Sequence, residues 1–205
     1  MDMDMDEIRP LLTKLNQNTI LDILTQAAET HPDVRATISA AITKKCTEES
    51  QRVINFEWYS KSVWKEINVN YAGLGGGKQC DRAGEVERET IAIIERIAAQ
   101  CGPFAHPQTR YNGLSVLRKI GKTICLSSGD VLGHEVQQRF QWDPSLEVGM
   151  QGIISAMEPE ERKAIREDES SEGALWPKLV ELETLAKDHC VFPELAQALD
   201  LLGGD

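Results

Sequence analysis

The chain is 205 residues long, 41% hydrophobic, 27% charged and 5% aromatic, with a formal net charge of −11. That length suffices for a real core, one that buries about 70% of the unfolded surface, and the apolar and charged shares are those of a globular protein. So negative a surface argues against direct nucleic-acid binding and against adsorption to anionic membranes, while it admits basic partners.

The five cysteines, Cys46, Cys80, Cys101, Cys125 and Cys190, are scattered and odd in number, and none forms a CxxC pair. This is the usage expected of reduced, intracellular thiols. The acidic start, Met1 to Glu7, has no apolar h-region, so no signal peptide is expected. No apolar run reaches the ~18 residues that span a bilayer, and the chain is expected to be soluble.

Residues 1–7 read as an acidic tail. Pro10 suits a first helical turn, and Ile8, Leu11, Leu12 and Leu15 follow at helical spacing. Asn16 to Asn18 reads as a break, with Asn18 capping a second helix lined by Ile20, Leu21, Leu24, Ala27 and Ala28. His31-Pro32-Asp33 stops that helix and starts another. The apolar rhythm then runs from Val34 through Ile42, Val53, Phe56, Tyr59, Val63, Trp64 and Ile67, as one helix or as two with a break near Cys46 to Ser50.

Ala72 to Gly84 is glycine-rich and reads as a loop without regular structure. Helices are expected from Glu85 to about Gln100 and from Thr109 to Leu126. Asp130 should cap the next, Asp143-Pro144 opens another, and Glu158-Pro159 starts a short charged one. Glu167 to Gly173 reads as a polar linker. Leu175, Leu179, Leu182 and Leu185 line a helix that runs to about Cys190, and Pro193 opens the last. No strand and no fixed-period repeat is visible. The fold class is all-α, with eight to ten helices: a leucine-lined helical element over 8–45 and a helical bundle over 46–205.

Several motifs approach a chemistry and fall short. Gly73 to Lys78 resembles a phosphate loop, but Ala72 stands where a glycine is required and Gln79 where a hydroxyl should reach Mg²⁺. His134-Glu135 begins a zinc-protease helix, yet the second histidine is replaced by Gln138. His189 and Cys190 are adjacent and point about 100° apart on a helix, so they form no nucleophile pair; Cys190 reads as a small buried apolar group. No metal, cofactor or catalytic residue is assigned. Scattered groups such as Glu85, Glu87, Glu89 and His134 are the only enzymatic candidates. Trp58, Trp64 and Trp176 fall in helical patterns with a core role as the default. Trp58 and Trp64 do not share one stripe and are candidates for a partner or ligand surface.

With Leu11, Leu12, Leu15, Leu21, Leu24 and His31-Pro32-Asp33, the chain resembles the fungal nuclear proteasome-tethering family of the Cut/Sts type. The resemblance covers about a fifth of the chain. It implies that the element over 8–45 is a helical dimerisation element, with a homodimer held by those five leucines, and that a six-helix bundle of 14-3-3-like shape follows. It also implies a non-catalytic adaptor role at the proteasome, a nuclear location with nuclear-envelope lipid contact, and support of protein degradation. In that family a lysine-rich region carries the proteasome contact upstream of the dimerisation element, where this chain has the acidic Met1–Glu7. The alternative reading is a helical module that binds a hydrophobic small molecule, lipid or peptide.

Overall fold

The computed structural model describes residue 4 and residues 10–127, 129–168 and 173–203. The acidic tail (apart from Asp4), Ile8 and most of the polar linker lie outside the described residues. Every regular element among the described residues is helical, so the chain is all-α. Contacts divide it into two units, Met1–Glu48 and Glu49–Asp205.

In the first unit, residues 10–12 are helical, and α1 spans Gln17–Thr30. Its cap is Asn16 rather than Asn18: the Asn16 Oδ1 accepts from the Thr19 N–H at 2.8 Å and from the Thr19 hydroxyl at 2.9 Å. Asn16 alone stands three residues before an N–H that its side chain can reach. At the other end the His31 N–H donates to the Ala27 carbonyl. Arg35 donates to the Ala28 and Glu29 carbonyls at 3.0 and 3.3 Å, covering acceptors that the end of α1 leaves open. α2 starts at Pro32 and runs to Ser50, so that of the two readings, one helix or two, the structure has two, with the break just beyond Ser50. Neither helix buries a single residue within the chain.

In the second unit, residues 51–56 form the true break, and Val53 lies there exposed. The segment is pinned by α5 (Pro107–Cys125): the Thr109 hydroxyl donates to the Arg52 carbonyl and accepts from the Ile54 N–H, each at 3.0 Å. α3 covers Glu57–Asn68 and α4 covers Gly76–Ala99. Of the glycine-rich stretch only residues 72–75 are loop, because α4 begins inside it. Two contacts overcome the glycine propensity there. Gln79 is buried, donating to the Tyr71 carbonyl and accepting from the Leu132 N–H. The space above Gly84 is taken by the Arg139 guanidinium.

The remaining helices are α6 (Val131–Arg139), α7 (Ser145–Ser155), α8 (Pro159–Glu167), α9 (Leu175–Asp188) and α10 (Leu195–Asp200). Their starts follow the sequence: Asp130 accepts from the Gly133 N–H at 2.8 Å, and Glu158 and Glu161 form a reciprocal capping box. α5 is the axle, with α3, α4, α6, α7 and α9 packed around it. Gly121 lets α7 and α9 close on it, since a Cβ there would stand 2.8 Å from Leu146 Cδ2 and 3.1 Å from Leu182 Cδ2. One apolar cluster runs through this unit, including Phe56, Ile94, Leu117, Ile120, Leu146, Leu182 and Phe192.

Buried polar groups serve as cross-ties. Arg110 is 3% exposed and forks onto Glu161, Nε to Oε2 at 3.0 Å and Nη2 to Oε1 at 2.6 Å. Its Nη1 donates to the carbonyls of Gly102, Pro103 and Ala105, so almost every donor is used. At the surface, Lys119 on α5 meets Glu57 on α3 at 2.5 Å, and Lys122 meets Glu181 on α9 at 2.6 Å.

Candidate interaction surfaces

The five leucines singled out in the sequence are all exposed: Leu11 44%, Leu12 41%, Leu15 40%, Leu21 52% and Leu24 44%. Ile23 and Ile42 in the same unit are about half exposed as well. Large aliphatic side chains left so open cost on the order of 1.5–3 kcal/mol each relative to burial. Exposed large apolar side chains in this number are what an interaction surface presents. Leu21 and Leu24 are three apart and so share one face of α1.

Trp58 and Trp64, for which the sequence leaves both a core role and a partner or ligand surface, are exposed, at 58% and 51%. The reason lies in the phase of α3. Tyr59, Ser60, Val63 and Ile67 form its buried face, and the two tryptophans fall on the flanks of the opposite one. Trp58 stacks on Tyr59 with ring centroids 3.8 Å apart. Trp176 is partly buried against the core and lies under the Arg166 guanidinium at 5.1 Å.

A cleft of about 380 Å³ opens between α5, α8 and α9, with Tyr111, Met157, Ile165 and Leu175 in its wall. Neither tryptophan lines it. Burial and the Asp168 carboxylate both raise the Tyr111 hydroxyl above its usual range. Sequence reasoning missed this cleft because its wall joins α5 to the remote pair α8 and α9, and no single helix carries a signal for it.

The near-miss chemical motifs do not assemble. Glu85 is paired with Arg82 at 2.5 Å, Glu87 with Arg139 at 3.0 Å, and His134 lies 3.0 Å from Gln138 on its own helix. Burial pushes the Cys101 and Cys125 thiols up to about 12, which keeps them out of the reactive thiolate form at neutral pH. Cys190, expected to be buried, is exposed. It occupies the left-handed position that ends α9 (φ 53°), with the Val191 N–H bonded to the Ala186 carbonyl at 2.9 Å. That position is usually glycine and turns its side chain outward. Among the described residues no group of three or more His, Cys, Asp or Glu side chains could hold a metal ion. Among them, too, no helix is long and apolar enough to cross a membrane.

Glu147, in the first turn of α7, is only 2% exposed, and neither carboxylate oxygen has a hydrogen-bond partner. Burial, above all, holds its carboxyl above the usual carboxylate range, and the Glu194 and Asp143 carboxylates add to this. The N–H groups of Glu147 and Glu194 oppose the shift from outside hydrogen-bonding geometry.

No protein-family model, no curated protein and no solved structure matches this chain.

Proposed function

We propose that this protein is a non-catalytic homodimeric adaptor, whose first unit pairs with the same unit of a second copy while the helical bundle engages a large assembly. The observation that supports it is the exposure of Leu11, Leu12, Leu15, Leu21 and Leu24 in a unit whose two helices bury nothing. A two-fold pairing presents the same face on both copies and needs no second surface of different chemistry. The resemblance to nuclear proteasome-tethering factors names the assembly: the proteasome, held in the nucleus to support protein degradation.

Affinity capture of the tagged full chain from nuclear extract tests this, with the proteasome core subunits quantified. Wild type should recover them, and Leu12→Asp with Leu24→Asp should recover several-fold less through loss of bivalent attachment. Wild-type capture at the level of the tag alone would rule the tethering role out.

A second reading, a module for an apolar ligand, has the α5–α8–α9 cleft in its favour, because ligand sites in bundles form between helices. Native mass spectrometry of the purified chain tests it. A retained mass that disappears in Ile165→Trp, which fills the cleft, favours a bound ligand; an unadorned chain mass counts against one.

A further inference from the structure

α3 and α9 are each tied to α5 by one ion pair, Glu57–Lys119 and Glu181–Lys122. Arg118 precedes the first lysine and lies one turn before the second. It is 8% exposed, and its Nε has no hydrogen-bond partner. Both nearby carboxylates act on it electrostatically, yet each is bonded to a lysine instead. A guanidinium in this position lacks the forked acceptor that its planar geometry fits. Arg110, about two turns earlier on α5, shows the difference, since its fork is filled by Glu161.

The surroundings are cationic, against the trend of a chain with net charge −11. Lys61 and Lys65 are exposed on α3, one and two turns beyond Glu57. Lys178 on α9 acts on Glu181 together with Lys122 and Arg118. Trp64 lies two turns from Glu57 on the same side of α3, half exposed and on the same helix as Lys61 and Lys65. The patch therefore offers an unfilled fork, spare positive charge and one large apolar anchor.

We propose that this patch, centred on Arg118 between α3 and α9, binds an acidic peptide segment of a partner protein, with a carboxylate in the Arg118 fork and an apolar side chain against Trp64. A short extended acidic segment fits better than nucleic acid or an anionic membrane, because the remainder of the surface repels extended polyanions. The site belongs to the Glu49–Asp205 unit and is independent of self-association through the leucines.

The test is fluorescence anisotropy of a labelled peptide alternating aspartate and leucine, titrated with the full chain. A matching peptide with asparagine for each aspartate serves as control. The aspartate peptide should saturate, lose affinity as salt rises, and bind Arg118→Gln about tenfold or more weaker. Lys61→Gln with Lys65→Gln, both at exposed positions, should weaken it several-fold without touching the core. The Leu12→Asp, Leu24→Asp chain should bind the peptide as wild type does, which separates this site from the dimer. The proposal is overturned if the wild type shows no saturable binding, or if the asparagine peptide binds equally. Unchanged affinity in Arg118→Gln overturns it as well. Should that variant fail to fold, unchanged binding by the double lysine variant does so alone. Binding to vesicles containing anionic lipid without binding to the aspartate peptide would assign the patch to a membrane and overturn it too.

Discussion

The two units of this chain use similar helical sequences to opposite ends. α1 and α5 are both amphipathic, yet α1 buries no residue and α5 is buried around most of its circumference. The difference is in what surrounds them. α5 has glycines where neighbours must close in, polar side chains that fork onto facing backbone, and five helices packed on it. α1 has a good cap and a well-satisfied end, but its leucines stay exposed among the described residues. Short isolated helices are marginal in water and draw their stability from tertiary packing. Caps fix where a helix starts; apolar partners decide whether it persists. On the proposed function, a second copy of the chain supplies the apolar surface that the first unit lacks.

This contrast can be broken first from the bundle side. Leu117 is fully buried on α5, and Leu117→Ala should lower unfolding stability by about 2–5 kcal/mol, through lost transfer energy and the cavity left behind. Chemical denaturation followed by tryptophan fluorescence measures this, and a loss below that of an exposed leucine would mean that the axle is not close-packed.

A smaller effect should come with a pH signature. The Glu147 carboxyl is raised in the folded state, so its contribution is fully present below the unfolded carboxylate value and is lost as pH rises through the folded one. Glu147→Gln should thus match wild type in acid and become the more stable of the two as pH rises into the neutral range. Thermal melts across pH give the answer; a constant offset would show that folding does not shift the Glu147 carboxyl. The smallest change is Cys190→Gly, expected to stabilise by about 1 kcal/mol by relieving a side chain at φ 53°.

The sequence conveyed the helices well where caps and prolines punctuate it. Asp130, Pro144, Glu158 and Pro159 each stand within a residue of an observed helix start. It misled at Gly76 to Gly84, because Gln79 and Arg139 supply tertiary contacts that no local propensity registers. For Trp58 and Trp64 it left two readings, the core and a partner or ligand surface, and the phase of Tyr59, Val63 and Ile67 turns both tryptophans outward. The leucine surface was legible because a wide apolar face over two short helices has no partner nearby in sequence. The Arg118 patch and the α5–α8–α9 cleft were not, because both combine residues from helices far apart in the chain.

Sedimentation equilibrium of the full chain tests the central claim most directly. Wild type should run at twice the 22.8 kDa chain mass, and Leu12→Asp with Leu24→Asp at the single-chain mass with the bundle still folded. A wild-type chain that stays monomeric at tens of micromolar, or a variant that remains a dimer, would contradict the account.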